Sequence, residues 1–506
     1  MKNKIAFLLV LCTVALPIGA AENTAWNELN ASAKKHLKNL IQIDTSVNNP
    51  DEISAARYIY KELNKNHIDW DIFIPYQGRA NLMARIKGTD STQKPLLLIT
   101  HLDTVNVQDG WSVPPFQAVE KDGAIYGLGA TDAKNYTAAY VALFTWLAKQ
   151  PQKPVRDLIF LATSGEESGS EPGLMWLKNT HWDKINPGYA LNEGGGIIKN
   201  QDGTDIVFAE AATKLYMDIK ITALGKEGHT SIPQGNNAVY NLSQALAKIE
   251  NLNLPPRVTP PAQTLFNAIL PLQDEDGKTT LQMLLFDKNP QNRQTAAEVM
   301  ARDPFFKTQL KDTLTPTQVS SPADPGATSA AASAVLNVRL LPDTDPDEFL
   351  AHLQALFKDD DSIILEVLER PQTPAPKPMD GTDELFGSIQ RTAGKLLPGA
   401  ITVPGLSPAS GDNEILRKLG VITYGLGPEM DPLVGNTAHA VDEHIHEDDL
   451  YNQLKFVAGV VFDFAYKQDL LPLTAPTSPQ DATPAKPQNS APAPAQPQDS
   501  TPTQTH

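Results

Sequence analysis

The stretch PLLLITHLDTV (residues 95–105) carries an apolar, β-favouring run, Leu96 to Thr100, straight into a histidine and an aspartate two residues apart. A run without polar alternation is the pattern of a strand buried on both faces, as in parallel sheets covered by helices. Ending that strand on His101 and Asp103 delivers two titratable groups to the carboxyl edge of the sheet, where open α/β folds gather their functional residues. The neighbouring sequence has the same texture. VRDLIFLAT (155–163) and GYALNE (188–193) read as further buried strands, and NLMARIKG (81–88) as another. EISAARYIYKEL (52–63) and DAKNYTAAYVALFTWLAK (132–149) have helical spacing. Strands alternating with helices predict an α/β domain with a mixed sheet flanked by helices.

Beyond about residue 212 the pattern changes. KLYMDIKITAL (214–224) alternates like a half-exposed strand, and NAVYNLSQALAKIE (237–250) is an amphipathic helix. ASAVLNVRLLP (332–342), DEFLAHLQALF (347–357) and SIILEVLE (362–369) add strand, helix and strand. These elements predict a smaller α+β domain inserted over residues 212–371, interrupted by a Pro-rich excursion at about 254–315. The first part of the main domain then spans 22–211 and the second 372–470, with GVITYGLGP (420–428) as a late strand and DDLYNQLKFVAGVVFDFAYK (448–467) as a closing helix. The last stretch, 471–506, is dense in Pro, Ala, Gln, Ser and Thr and reads as a disordered tail.

The 506 residues suffice for two or three domains. Residues 1–21 read as a secretory leader: Lys2 and Lys4, an apolar run, then Gly19-Ala20-Ala21. A periplasmic or secreted location is therefore expected. The one cysteine, Cys12, lies inside that leader, so a mature chain would have neither thiol nor disulfide. A formal net charge of −17 argues against a nucleic-acid partner, which requires clustered Lys and Arg. No segment after the leader approaches the roughly 18 consecutive apolar residues of a membrane span. A serine hydrolase is disfavoured because no G-x-S-x-G elbow is present.

Four more acidic residues stand where the fold would bring them beside His101: Asp132 before a helix, Glu166 and Glu167 after a buried strand, and Glu193 after another. Each has an ordinary reading on its own. A strand can simply exit on polar residues, an aspartate can cap a helix, paired glutamates can form a solvated turn, and Glu193 can mark a flexible Gly-rich corner. Their conjunction at one edge suggests more. Carboxylates packed together repel and raise one another's pKa, whereas a pair of divalent metal ions holds them readily. Asp103 would then orient the His101 imidazole.

The ordered set HLD, GATDAK, GEES, NEGGG, GHTSIPQGNNA, VLNVRLLP and AHAVDEHI resembles the dizinc metallopeptidase family of glutamate carboxypeptidases, aminoacylases, carboxypeptidase S and succinyl-diaminopimelate desuccinylases. DGWSVPPFQAVEKDGAIYGLG (109–129) resembles the carboxypeptidase S and N-acyl-amino-acid hydrolase branch. The resemblance covers about residues 23–466. It implies a dizinc catalytic domain with an inserted lid or dimerisation domain, and two zinc ions, with cobalt or manganese as alternative divalent ions. His101 and Glu193 would bind one ion, Glu167 and His439 the other, and Asp132 would bridge them through an unusual cis peptide to Ala133. Glu166 would be the general base. His229 would stabilise the oxyanion, often across a homodimer interface, and Arg339 would pair with a substrate carboxylate. Without the resemblance, His439 is no more conspicuous than His444 or His446.

The implied activity is hydrolysis of an amide next to a free carboxylate in a small peptide or N-acyl amino acid. Glutamate at position 193 resembles the carboxypeptidases and aminoacylases more than the aminopeptidase-like dipeptidases. Two departures bear on substrate preference. Gly326 stands about where relatives carry the asparagine of an Asn-Val-Ile-Pro segment, and Gly127-Leu128-Gly129 replaces the usual Gly-Arg-Gly. A competing reading is a catalytically silent, metal-containing protein that captures peptides or acyl amino acids. The retained Glu166 weighs against it, since a metal cage needs no base beside its ligands.

Overall fold

Leu96–His101 is a central strand of a nine-stranded mixed sheet. The computed structural model describes residues 18–200, 203–232, 235–322, 324–371, 374–429 and 437–467. Residues 1–17 of the expected leader (1–21) and the whole expected tail (471–506) lie outside the described residues. In chain order the strands of the two larger sheets are β1 (Asp69–Phe73), β2 (Asn81–Ile86), β3 (Leu96–His101), β4 (Leu158–Thr163), β5 (Tyr189–Asn192), β6 (Gly196–Lys199), β7 (Asp205–Thr213), β8 (Leu215–Leu224), β9 (Thr313–Ser320), β10 (Ala331–Leu340), β11 (Ile363–Glu369), β12 (Ile401–Ser407) and β13 (Ile422–Gly425).

The large sheet runs β1-β2-β4-β3-β5-β13-β7-β12, with β6 paired to β7. β3 is parallel to both β4 and β5. Its apolar run is explained by its two faces. Leu96 and Leu98 join Phe144, Phe160, Leu454 and Val457 in one core, under the helices Ile18–Ile41, Lys134–Leu147 and Glu447–Val461. Leu97 and Ile99 join Ile159, Leu161, Leu177 and Leu416 in another on the opposite side. Because the three parallel strands point the same way, the residues that follow β3, β4 and β5 emerge at one edge.

β8 to β11 form a four-stranded antiparallel sheet in the order β9-β10-β8-β11. Alternation sends Met217, Ile219, Ile221, Leu336 and Val338 to one face, where the helices Ala238–Glu250 and Pro346–Ala355 cover them with Leu242, Ala245, Phe349 and Leu353. The residues between, including Tyr216, Asn337 and Arg339, line a cleft shared with the large sheet.

The Pro-rich excursion, which the sequence reading left without assigned elements, is helical. Pro260–Ile269, Pro290–Met300 and Pro304–Leu310 begin on proline, after Thr259, Asn289 and Asp303, whose side chains accept hydrogen bonds from the first turn; Glu275–Phe286 is capped by Asp274. Proline at the first helical position lacks only an N–H that would be unpaired there anyway. Nor does this segment extend the small sheet's core. Leu265, Phe266 and Leu281 pack with Ile198, Ile206, Phe208 and Val403 of the large sheet, covering its β12 end. Among the described residues no helix is long and apolar enough to cross a membrane.

A buried ion pair ties this architecture together beneath the cleft. Glu210 on β7 is 3% exposed and accepts from Arg417 and, at 2.5 Å, from Asn413 Nδ2. Asn413 Nδ2 also lies 3.0 Å from the Glu193 carbonyl. Replacing Arg417 with methionine should cost about 3–5 kcal/mol, since a buried carboxylate is left without its cation. A urea titration checks this, and adding Glu210→Gln to the same chain should restore part of the loss.

Candidate active site

His101 is the last residue of β3 and is 1% exposed. Its Nε2 lies 3.0 Å from Asp132 Oδ1 and 3.3 Å from Glu193 Oε2. His439, far along the chain, places its Nε2 3.0 Å from Glu167 Oε1 and 3.3 Å from Asp132 Oδ2. Asp132 thus divides its two oxygens between two imidazoles, each of which faces a further glutamate. The peptide Asp132–Ala133 is cis. Asp132 is not a helix cap: the helix Lys134–Leu147 starts after Ala133 and has no side-chain cap.

Hydrogen bonds from behind hold these side chains. His101 Nδ1 lies 2.9 Å from the carbonyl of Asp103, with the Asp103 carboxylate at 3.5 Å. The carbonyl, rather than the expected carboxylate, is therefore the hydrogen-bond partner that directs Nε2 into the cleft. The Asp103 carboxylate accepts instead from the backbone of Glu166 at 3.1 Å and Glu167 at 3.0 Å. It orders the turn carrying both glutamates, which enters through Gly165 at φ +71°. Gly165 cannot take a side chain here, because a Cβ would approach the Pro172 ring to 2.2 Å.

Sequence reasoning missed Glu443. Only 1% exposed, it accepts from the backbone of Gly129 at 2.9 Å, Thr131 at 2.8 Å and Asp132 at 3.2 Å, and from the Thr131 hydroxyl at 2.9 Å. It thereby clamps the segment bearing Asp132. The stretch AVDEHIHEDD (440–449) offers so many acidic and histidine residues that composition cannot single it out. His444 instead stacks on Tyr126 at 4.5 Å in a small sheet beside the site. The loop before the helix Asp412–Lys418 was also missed. Its signal is the turn-forming PASGDN (408–413) ahead of an apolar run. Asp412 accepts from Ser170 at 2.6 Å, and Gly411 passes so close to Glu166 that a Cβ would stand 2.5 Å from its Oε1.

The electrostatics reflect crowding of negative charge. Burial, reinforced by Glu193, Asp412 and Glu167, pushes Glu166 well above the ordinary carboxylate range, despite His101. Burial likewise raises Glu193 to about 7. Burial opposes ionisation of Asp132 as well, but its bonds to His101 and His439 prevail and hold it below the usual range. Bonds to Asp132 and Glu167 raise His439 to about 11. The ligand atoms of His101, Asp132 and Glu167, and those of His101, Glu166 and Glu193, lie within 4.8 Å of one another. This oxygen and nitrogen donor set fits two divalent ions sharing Asp132.

The site opens into a cleft of about 810 Å³ lined by Asp132, Glu166, Glu167, Glu193 and His439 on one side and Tyr216, Asn337 and Arg339 on the other. His229 does not line it. That residue is exposed, with Nδ1 2.7 Å from Ser231 Oγ.

Residues 97–463 match peptidase family M20/M25/M40. The chain belongs to this family. It is 29% identical over 436 residues to a probable succinyl-diaminopimelate desuccinylase of Staphylococcus aureus (strain MSSA476), covering 83% of this chain and 94% of that one. It is 24% identical over 471 residues to the N-fatty-acyl-amino acid synthase/hydrolase PM20D1 of Mus musculus, covering 87% and 89%. Human carnosine dipeptidase 1 shares the fold with a TM-score of 0.64 and 15% identity over 88% of this chain and 98% of its own. This M20 protein is accordingly a metal-binding hydrolase of amide bonds.

Glu443 would support a metal centre indirectly, through the segment bearing Asp132. Glu443→Gln keeps the shape but replaces an acceptor-only group with an amide, so the 129–132 segment loses part of its clamp. Metal affinity should fall about 10- to 100-fold, read by chelator competition against the unmodified protein.

Proposed function

We propose that this protein is an exported, zinc-dependent exopeptidase or N-acyl-amino-acid amidohydrolase that cleaves an amide next to a free carboxylate. The observation carrying this reading is one cleft that holds Asp132 between two His–Glu pairs, Glu166 beside them, and Arg339 opposite. His101, Asp132 and Glu193 would hold one zinc, and His439, Asp132 and Glu167 the other. The bound ions supply Lewis acidity, acidifying water and polarising a carbonyl.

The chain's own residues do the rest. Glu166, with its backbone fixed by Asp103, is placed to take a proton from the attacking water and return it to the leaving amine. Arg339 supplies a planar, permanently charged fork for a carboxylate, which limits cleavage to bonds near a free end. The relative named for N-fatty-acyl-amino acids supports an acyl amino acid as readily as a dipeptide.

His229 would complete the site from a second copy. Its absence from the cleft of its own chain supports this, as do the exposed Ile232 (65%) and Tyr240 (71%) and the exposed edge strand β9. Light scattering should then give a homodimer, and a persistent monomer would remove His229 from the reaction.

The decisive experiment is metal analysis of the purified protein combined with hydrolysis of C-terminal-carboxylate dipeptides and N-acyl amino acids, before and after chelation. About two zinc ions per chain and chelator-sensitive cleavage are expected. Glu166→Gln should keep its metal while losing at least about 100-fold in kcat. Metal binding with full turnover in that variant would remove Glu166 from the mechanism.

A further inference from the structure

Arg339 does not stand alone on its strand. In the β8–β10 register Tyr216 lies directly opposite Arg339, and Asp218 directly opposite Asn337. Alternation places all four on the same face. Their side chains form a closed circuit. The Tyr216 hydroxyl donates to Asp218 Oδ2 at 2.5 Å, Asn337 Nδ2 donates to Asp218 Oδ1 at 3.2 Å, and Arg339 Nε donates to Asn337 Oδ1 at 3.0 Å. The circuit closes where the guanidinium lies over the Tyr216 ring, 4.6 Å from its centroid.

This arrangement uses one edge of the guanidinium and one face. Nη1 donates to Ser410 Oγ at 3.0 Å, in the loop that brings Gly411 against Glu166. Nη2 carries no protein hydrogen bond among the described residues, and Arg339 lines the cleft. A long, flexible side chain is thus immobilised with donors free and at a set remove from the general base. Side-chain entropy otherwise lost on binding is already spent.

We propose that Tyr216, Asp218 and Asn337 are positioning residues that set substrate specificity, by fixing Arg339 as the receptor for a free carboxylate and so fixing which amide reaches Glu166. Asp218 acts through both of its oxygens without touching Arg339. The idea rests on the exopeptidase or amidohydrolase reading given above.

The test compares a cleaved dipeptide or N-acyl amino acid with its C-terminal amide, in the zinc-loaded full-length protein. Asp218→Asn and Tyr216→Phe preserve shape and remove one link of the circuit each. Either should raise KM for the acid about tenfold, with kcat for the acid falling less than about twofold, and shrink the acid-to-amide ratio of kcat/KM by a similar factor. Combined with Arg339→Ala, Asp218→Asn should add nothing further to that ratio. Equal losses on acid and amide would overturn the proposal, as would full additivity with Arg339→Ala. Calorimetry with the free amino acid product gives a second readout, in which Asp218→Asn should weaken binding about tenfold. An unmodified enzyme that cleaves nothing in the panel refutes the proposed function; one that cleaves well but whose Asp218 and Tyr216 variants keep the acid-to-amide ratio refutes only the platform.

Discussion

Everything at the catalytic edge follows from one electrostatic constraint: Asp132, Glu166, Glu167 and Glu193 share a partly buried pocket, with two imidazoles in contact with them. Burial first, and like charges at this spacing second, oppose ionisation, and the raised Glu166 and Glu193 are the consequence. A pair of divalent cations relieves that strain. The fold must hold the carboxylates together without help from cations, and it does so by tethering the backbone that carries them to Asp103, Glu443 and Asn413.

The supports divide the work by segment. Asp103 gathers the amides of Glu166 and Glu167, Glu443 gathers those around Asp132, and Asn413 reaches the carbonyl of Glu193. Two of these supports are carboxylates, so the cluster is anchored by further negative charge. That is tolerable because each accepts at least two charge-assisted hydrogen bonds. Glu210, also buried, is instead paired with a full countercharge, Arg417.

How much of this the sequence discloses depends on whether the cause is local. β3, β4 and β5 are legible because burial on both faces leaves an unbroken apolar run. β7 is less so, since its DIVFAEAAT (205–213) carries Glu210 in mid-strand, and the arginine that makes it acceptable lies 207 residues away. The helices at 260–310 are not assigned from the sequence, where the segment stands out only as Pro-rich, although three of its prolines sit where a helix starts. Four of the five ligand candidates stand beside β3, β4, β5 or the helix that follows Asp132, so topology explains their convergence. His439 arrives on a loop with positive φ, and only the resemblance singled it out from its histidine neighbours. Tyr216, Asp218 and Asn337 look like the exposed half of alternating strands; the circuit they form appears only once β8 and β10 are set in register.

The departure at Gly326 gains meaning from the same geometry. Gly228 and His229 pair with Thr328 and Ala327, and the Gly326 carbonyl accepts from Thr230 at 3.2 Å. The backbone that would carry the family asparagine therefore lies next to the histidine. A Cβ at Gly326 would meet nothing within 4 Å, so glycine is not there to avoid a clash. Position 326 has space for a side-chain amide but does not supply one. The circuit around Arg339 lies instead on the strands of the small sheet, held by cross-strand pairs. In the proposed reaction, a substrate carboxylate would then be received by a charge whose position the sheet itself determines rather than by a loop amide.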